Sequence, residues 1–192
     1  MKLICGIDEA GRGPLSGPVF AAAVILNSTS VIDGLMDSKK LSANRRSFLY
    51  EEIKNKSIDF AFAFASVDEI DQMNILNASL LAMKRSFDLL KIKPNIIYVD
   101  GLYCPPIKDV KIESIIKGDS KVQAISAASI VAKVERDLYM LELDKIYPEY
   151  NLKKHKGYPT KEHIALIKKH GVKKIHRKTF RPITQLINKK DT

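Results

Sequence analysis

The order of short apolar runs and helical patterns constrains the fold of this chain more than any other feature. Two runs rich in β-branched residues, at 3–7 and 19–26, flank the segment GRGPLSGP, whose glycines and prolines predict a loop between two strands. Phenylalanine alternates with small or polar residues over 58–65, which predicts a third strand. Two further strands are predicted at 96–99 and 111–116.

Helices are predicted between and after these strands. Ser42 can cap a helix that runs to about residue 55. Apolar residues recur at three- and four-residue steps from Leu76 to Leu90, which predicts an amphipathic helix that Pro94 stops. A third helix is predicted over about 121–145, where several alanines allow close packing. Strands and helices in this order predict an α/β fold with a mixed central sheet flanked by helices.

The chain after Tyr147 is predicted to form a smaller, basic helical extension. Its first segment, NLKKHKGYPT, predicts a loop, and Thr160 can cap a helix that ends before Gly171. A chain of 192 residues with 45% hydrophobic content can bury one sizeable core but is short for two. We therefore expect a single domain over 1–192, with a main α/β unit over about 1–147 and the extension over about 148–192.

Composition favours a basic protein of the cytoplasm. Lys and Arg number 32 against 22 Asp and Glu, so the formal net charge of +10 indicates either a solubility charge or a polyanion partner. The two cysteines, Cys5 and Cys104, have no metal-binding spacing and predict reduced thiols. Charges come too early for a signal peptide, and the longest apolar run, 19–26, is far shorter than the roughly 20 residues of a spanning helix. No membrane insertion is expected.

Acidic residues follow two of the predicted strands. Asp8 and Glu9 come where the first strand ends, and Asp100 comes where the fourth ends, each closely followed by glycine. Strand ends are where open α/β sheets bind ligands, and carboxylates gathered there repel one another unless they are protonated or bridged by cations. Mg²⁺ or Mn²⁺ prefers such oxygen ligands, whereas zinc would need nearby histidine or cysteine.

Each of these acids also has a structural interpretation. Aspartate before glycine often ends a strand as a turn residue, and that is the better interpretation of Asp8 or Asp100 taken alone. The pair Asp8 and Glu9 directly precedes GRG, whose small residues allow close approach by another backbone, and this favours a binding site. Asp119, in KGDS, precedes the long third helix, and its local sequence favours an N-terminal cap over a metal ligand.

Seven blocks in order resemble the bacterial ribonuclease HII family: GIDEAGRGPLSGPV, DSKKLS, NILNAS, YVDG, KGDS, SAASIVAKVERD and HKGYPT. The resemblance runs from about Cys5 to beyond Phe180 with little insertion. It implies a ribonuclease H-like fold and a catalytic site with two divalent ions, Mn²⁺ or Mg²⁺, and it assigns Asp119 to that site in place of the cap. The implied catalytic and metal-binding residues are Asp8, Glu9, Asp100 and Asp119.

The resemblance also implies a set of substrate-binding residues. The glycine loop of the family contacts the ribonucleotide 2′-hydroxyl mainly through backbone groups, and the tyrosine of HKGYPT stacks on the sugar at the junction. Two lysines of DSKKL and one asparagine of NILNAS correspond to positions that hold duplex phosphates. The residues assigned in this way are Gly11, Arg12, Gly13, Tyr158, Lys39, Lys40 and Asn77.

The expected activity is that of an endoribonuclease. The resemblance implies hydrolysis of the RNA strand of RNA–DNA hybrids and cleavage 5′ of single ribonucleotides in duplex DNA, which leaves 5′-phosphate and 3′-hydroxyl ends and serves ribonucleotide excision and RNA primer removal. We expect a monomer without an obligate protein partner. Two alternatives stay open: a nuclease or recombinase of the same fold acting on all-DNA structures, and a non-catalytic nucleic-acid-binding module.

Overall fold

A computed structural model describes residues 2–27, 32–35 and 41–188. Its strands are β1 (Leu3–Ala10), β2 (Val19–Asn27), β3 (Asp59–Ala65), β4 (Ile96–Asp100) and β5 (Lys111–Ile115). They form one sheet in the order β3-β2-β1-β4-β5. Strand β2 is antiparallel to both β1 and β3, whereas β4 runs parallel to both β1 and β5. The mixed sheet predicted from the sequence is confirmed.

The helices are α1 (Ala43–Lys56), α2 (Val67–Asp88), α3 (Gln123–Ile146), α4 (Leu152–His155), α5 (Lys161–His170) and α6 (Ile183–Asn188). The predicted caps of α1 and α5 are confirmed, since the side chains of Ser42 and Thr160 each accept a hydrogen bond from a backbone N–H three residues on. The short helix α4 lies in the segment predicted to be a loop. Among the described residues, no helix is long and apolar enough to cross a membrane.

The second helix differs most from its prediction. It begins at Val67, where Ser66 and Glu69 form a reciprocal capping box, well before the apolar stripe that predicted it. The pattern S-x-x-E is a known signal for the N-terminus of a helix. It was overlooked because the prediction relied on apolar spacing, and the first turns of α2 are mostly polar. Within the helix, Asn74 has a φ of +69°, and its side-chain oxygen accepts hydrogen bonds from two following backbone N–H groups. The helix is therefore interrupted and restarted at Asn74.

Helices cover both faces of the sheet. One face of β1, including Cys5 and Ile7, packs in a core cluster with α2, and the other face packs against α3. Gly6 lies on the α3 side, where an added Cβ would be only 2.0 Å from the backbone carbonyl carbon of Ala124. The absence of a side chain at Gly6, together with the alanines of α3, lets the helix lie directly on the strand and fixes its position beside the end of β1.

Gly6→Ala is expected to destabilise the protein by at least about 3 kcal/mol, because the new methyl group meets backbone atoms of α3 that cannot move independently. Urea unfolding of the variant and its parent measures the difference. Gly13→Ala is the matched control, since the nearest atom to an added Cβ there is 3.9 Å away. Equal losses of unfolding free energy in the two variants would contradict the packing argument.

A third apolar cluster joins the C-terminal helices to the rest of the chain. It gathers residues from the end of α3, from α4 to α6, and from the loop between β1 and β2 (residues 11–18, hereafter the β1–β2 loop). Its buried members are Leu15, Met140, Leu143, Tyr150, Leu152, Ile167, Ile175 and Ile183. The buried side chain of Leu15 thus anchors the β1–β2 loop to this cluster.

Candidate active site

The acids predicted to follow the first and fourth strands lie within the last residues of β1 and β4, at one end of the sheet that we call the acidic edge (Asp8, Glu9 and Asp100, with Asp119 nearby). These two strands are parallel, with Ile7 opposite Val99, so the next residues in the register are Asp8 and Asp100. Neighbouring strands are about 4.8 Å apart, and equivalent positions project to the same face. Asp8 is only 3% exposed, and its Oδ1 accepts a hydrogen bond of 2.7 Å from the backbone N–H of Glu9. The sheet therefore places Asp8, Glu9 and Asp100 at the same end of two neighbouring strands.

The electrostatics of these carboxyl groups show a local excess of negative charge. Burial raises the pKa of Asp8 well above its ordinary value, and the charges of Glu9 and Asp100 raise it further, against a hydrogen bond from Ser129 that lowers it. Burial also raises the pKa of Glu9, although the Arg12 guanidinium 3.3 Å away opposes this shift. A bound cation would relieve both the desolvation and the mutual repulsion.

The fourth acid, Asp119, lies close to the same edge. It is 6% exposed and sits in a 3₁₀ turn, Gly118–Ser120, rather than at the start of α3. The residue that precedes α3 is Val122, which makes no side-chain capping bond, so the cap interpretation of Asp119 is wrong. The backbone N–H of Gly118 donates a 2.7 Å hydrogen bond to Oδ1 of Asp100. This bond ties the turn that carries Asp119 to the end of β4.

The chemistry of this donor set fits a hard divalent cation. All four side chains offer only carboxylate oxygens, which Mg²⁺ and Mn²⁺ prefer. Among the described residues, however, no three Asp, Glu, His or Cys side chains are already gathered in one group that could hold a metal ion. The case for divalent ions at these residues therefore rests on the chemistry of the donors and on their charge.

A cleft of about 240 Å³ opens beside Glu9 and combines residues from four parts of the chain. It contains three residues that the sequence assigned to the site, together with two cationic side chains that it did not. Its lining residues are Glu9, Ala10, Gly11, Arg46, Ser129, Ile130, Lys133 and Tyr158. One of the four acids, the glycine loop and an aromatic ring thus border one cavity, as a site for a phosphodiester with an adjoining sugar requires.

The two glycines of GRG have different surroundings. Gly11 is buried with a φ of +100°, and an added Cβ would lie 2.1 Å from Nε of Arg136. Gly13 is exposed, and the nearest atom to an added Cβ is Cε1 of Tyr158 at 3.9 Å. A side chain at Gly13 would therefore have room in the folded chain and could obstruct only an approaching substrate. A side chain at Gly11 would instead clash within the protein, because Arg136 occupies the space beside it.

Tyr158 is held against the β1–β2 loop by a tight turn. After α4, Lys156 and Gly157 both have positive φ angles of 50° and 82°. The carbonyl of Gly157 accepts a 2.8 Å hydrogen bond from the N–H of Leu15, and an added Cβ on Gly157 would lie 2.6 Å from the carbonyl oxygen of Ser16. The Tyr158 ring is 40% exposed beside this junction. The predicted loop is thus a helix and turn fixed to the glycine loop.

Of the assigned phosphate-binding residues, the structure describes only Asn77, and Asn77 does not line this cleft. Asn77 is exposed in the restarted part of α2, and its side-chain amide donates a 3.0 Å hydrogen bond to the carbonyl of Met73. It does not line the cleft beside Glu9. Lys39 and Lys40 lie outside the described residues.

Sequence reasoning missed a polar stripe on α3. Ser129 hydrogen-bonds Asp8, Lys133 lines the cleft, and Arg136 is fully buried beneath the β1–β2 loop. These residues are spaced four and three apart, so they share one face of the helix. A run of polar residues at helical spacing in an otherwise alanine-rich segment is a signal that could have identified them.

Three buried histidines lie beneath the Tyr158 turn. The rings of His155 and His163 are stacked with centroids 4.3 Å apart, and His176 follows at 5.8 Å from His163. His163 Nδ1 donates to the carbonyl of Tyr158 at 3.0 Å, while its Nε2 lies 3.1 Å from the Ser16 hydroxyl and accepts from it. Burial, together with the neighbouring imidazoles, lowers the pKa of His163 to about 4. Burial likewise lowers the pKa of His176 to about 4.

Acid is expected to destabilise the protein through this histidine stack. Because His163 and His176 have a pKa of 6.5 when exposed and about 4 in the folded chain, the unfolded chain binds protons between pH 6.5 and about 4 that the folded chain does not. Their contribution to stability is complete above pH 6.5 and falls as the pH drops towards 4, by on the order of 2–3 kcal/mol for each histidine.

Thermal unfolding across this pH range measures the effect. His163→Gln should flatten the dependence relative to the parent, whereas His170→Gln, outside the stack, should leave its slope unchanged. A parental slope in His163→Gln would show that this ring does not carry the effect.

Comparisons with known proteins show which family this sequence matches. The family model for ribonuclease HII matches residues 5–183. The chain is 53% identical to ribonuclease HII of Delftia acidovorans over 97% of this chain and 79% of that protein. It is 51% identical to ribonuclease HII of Psychromonas ingrahamii over 96% of this chain and 90% of that protein.

Solved structures show the same fold. The ribonuclease H2 of Pyrococcus horikoshii superposes with a TM-score of 0.82 at 27% identity, covering 97% of this chain and 98% of that one. The ribonuclease HII of Archaeoglobus fulgidus, solved with PCNA, gives 0.74 at 26% identity, covering 93% and 95%. The Bst ribonuclease HIII solved with Mn²⁺ gives 0.73 at 15% identity, covering 97% and 70%, and supports the fold alone. The ribonuclease H-like fold expected from the sequence is confirmed.

Proposed function

Since this chain belongs to the ribonuclease HII family, whose members hydrolyse the RNA strand of RNA–DNA hybrids, we propose that it also cuts on the 5′ side of single ribonucleotides in duplex DNA. The products are a 5′-phosphate and a 3′-hydroxyl, and the activity serves ribonucleotide excision and RNA primer removal. The observation that carries this proposal is the cleft in which Glu9, the glycine loop and Tyr158 meet. Such a cleft can place one sugar beside the acidic edge.

Four carboxylates would hold two divalent ions in this proposal: Asp8, Glu9, Asp100 and Asp119. When bound, Mg²⁺ or Mn²⁺ ions acidify the attacking water and stabilise charge on the leaving 3′-oxygen. The chain itself restrains the ligands. The N–H of Glu9 and the hydroxyl of Ser129 hold the Asp8 carboxylate, and the N–H of Gly118 holds that of Asp100. These bonds orient the oxygens before substrate arrives.

Recognition of RNA requires the detection of one oxygen. A 2′-hydroxyl can both donate and accept a hydrogen bond, and the backbone N–H and carbonyl of the exposed Gly13 can supply both partners. Tyr158 borders the same cleft and offers an exposed ring face on which a sugar can stack. A deoxyribonucleotide leaves these polar groups unsatisfied. We therefore assign discrimination to the β1–β2 loop and positioning of the sugar to Tyr158.

Binding of duplexes should weaken steeply as salt concentration rises. The chain carries a formal charge of +10, and Arg46 and Lys133 line the cleft, so contacts to phosphates release counterions from the duplex. With about six neutralised phosphates, affinity should fall roughly 1000-fold between 50 and 200 mM salt. Fluorescence anisotropy with a labelled all-DNA duplex measures the slope. A flat response would contradict binding through the phosphate backbone.

The decisive experiment offers the protein three duplexes with Mg²⁺ or Mn²⁺: DNA with one ribonucleotide, an RNA–DNA hybrid, and DNA alone. We expect a single cut 5′ of the lone ribonucleotide, cleavage of the hybrid, and no cut in the control. Cleavage of DNA alone would favour the all-DNA nuclease. Binding without any cleavage would favour the non-catalytic module.

Assembly and location are part of the same proposal. We propose a monomer that needs no protein partner for cleavage and that acts in the cytoplasm. Sedimentation of the purified protein with and without a hybrid duplex tests the first part. A stable dimer that loses activity when it dissociates would contradict the proposed monomer.

A further inference from the structure

Two arginines are buried without acidic partners. Arg136 and Arg177 are each 0% exposed, and among the described residues no carboxylate forms an ion pair with either. Burying a cation is costly unless its donors are satisfied, and the two guanidinium groups also repel each other. Burial lowers the pKa of Arg136, and it lowers that of Arg177 to about 9. The hydrogen bonds of the two guanidinium groups must therefore offset the cost of burying them.

Arg177 donates all its hydrogen bonds to the β1–β2 loop. Its Nη2 and Nη1 bond the carbonyl oxygens of Gly11 and Arg12 at 2.6 and 2.9 Å, and its Nε bonds that of Gly17 at 2.9 Å. A backbone hydrogen bond also holds Arg177 beside the loop, since its N–H donates to the carbonyl of Leu15 at 2.8 Å. One guanidinium therefore fixes both ends of the loop.

Arg136 joins the β1–β2 loop to the Tyr158 turn. Its Nη2 and Nε donate to the carbonyl oxygens of Ser16 and Pro18 at 3.2 Å each, and its Nη1 donates to that of Lys156 at 3.1 Å. Its guanidinium carbon lies 5.8 Å from the centre of the Tyr158 ring. The same side chain thus contacts the loop, the turn and the ring.

We propose that Arg136 and Arg177 are positioning residues that set the spacing between the backbone of Gly11–Gly13 and the ring of Tyr158. The inference rests on the proposed function, in which these two elements read the 2′-hydroxyl and hold the sugar. The arginines are buried and act only through the backbone they bind. Together the two guanidinium groups bind six carbonyl groups. These bonds hold the β1–β2 loop and the Tyr158 turn in one arrangement before substrate binds.

The planar geometry of the guanidinium group, rather than its positive charge, lets these side chains position the loop. A guanidinium presents five N–H donors in a fixed plane, whereas a lysine ammonium is a single point with three donors. Lysine at 177 would keep the charge but could not span the carbonyls of Gly11, Arg12 and Gly17. A misplacement of about 1 Å in a site that positions substrate can cost about 100-fold in rate.

The test compares Arg177→Lys and Arg136→Lys with the parent on a DNA duplex containing one ribonucleotide. We expect kcat to fall about 100-fold while KM, and the Kd for an all-DNA duplex, stay within about threefold. The matched control is Tyr150→Phe, which removes a buried 2.7 Å hydrogen bond to Gly171 in the same C-terminal part without touching the loop. It should lower the melting temperature and leave kcat unchanged.

The outcomes separate the two proposals. Parental kcat in the folded lysine variants overturns the positioning role and leaves the proposed function intact. So does a fall in kcat that Tyr150→Phe reproduces at an equal loss of melting temperature, because the effect would then be one of stability. If one lysine variant does not fold, the other decides, since the two arginines bind different carbonyls. A parent that does not cut the ribonucleotide duplex overturns the proposed function, and this inference with it.

Discussion

Asp8→Asn is expected to lower cleavage of a ribonucleotide-containing duplex by at least about 1000-fold, because in the proposed function it removes a charged ligand from ions that would supply several kcal/mol of transition-state stabilisation. Binding of the same duplex should be preserved or tightened. Asp8 adds to the negative charge shared with Glu9 and Asp100, and that charge repels phosphate when no cation is bound. Loss of cleavage with retained affinity distinguishes a catalytic acid from a residue needed for folding.

Single-turnover cleavage with Mg²⁺ and anisotropy in EDTA measure the two quantities. Asp88→Asn is the matched control, because Asp88 pairs with Lys84 on the surface and lies in α2 away from the cleft. It should match the parent in both assays. If Asp8→Asn cuts at the parental rate, the assignment of the acidic edge as the catalytic site fails.

Local sequence predicted those parts of the fold that depend on local physics. Alternating or continuous apolar runs predicted all five strands, and Ser42 and Thr160 predicted two helix starts, because pleating and capping act within a few residues. The break at Asn74 was missed. Nothing in the apolar stripe requires a positive φ there, and the asparagine side chain that makes it possible bonds only its own neighbours.

The candidate site was predicted less completely, because its contacts are distant in sequence. Asp8 and Asp100 could be placed together from the rule that ligands bind at strand ends, and parallel pairing of β1 with β4 agrees with it. Asp119 could not, since its local sequence favoured a cap and only the 3₁₀ turn removes that alternative. The proposed roles of Arg136 and Arg177 depend on six carbonyl groups, five of them more than a hundred residues away and one 20 residues away, which no local pattern encodes.

Gly13→Val and Gly11→Val are expected to fail for different reasons. At Gly13 a valine has room in the folded chain but projects from the exposed loop beside Tyr158, so cleavage at a ribonucleotide should fall about 100-fold or more with little change in stability. At Gly11 the φ of +100° and the 2.1 Å approach to Arg136 oppose any side chain. That variant should lose at least about 3 kcal/mol of unfolding free energy.

Urea unfolding and cleavage of the ribonucleotide duplex, measured on both variants, separate the two effects. Gly13→Ala provides a graded control, because its methyl group meets only Tyr158 at 3.9 Å and should retain more activity than valine. A Gly13→Val protein that cuts as fast as its parent would remove the loop backbone from substrate recognition. Equal stability losses at the two positions would instead mean that Gly13, like Gly11, is constrained by the fold, and sugar recognition would then rest on Tyr158.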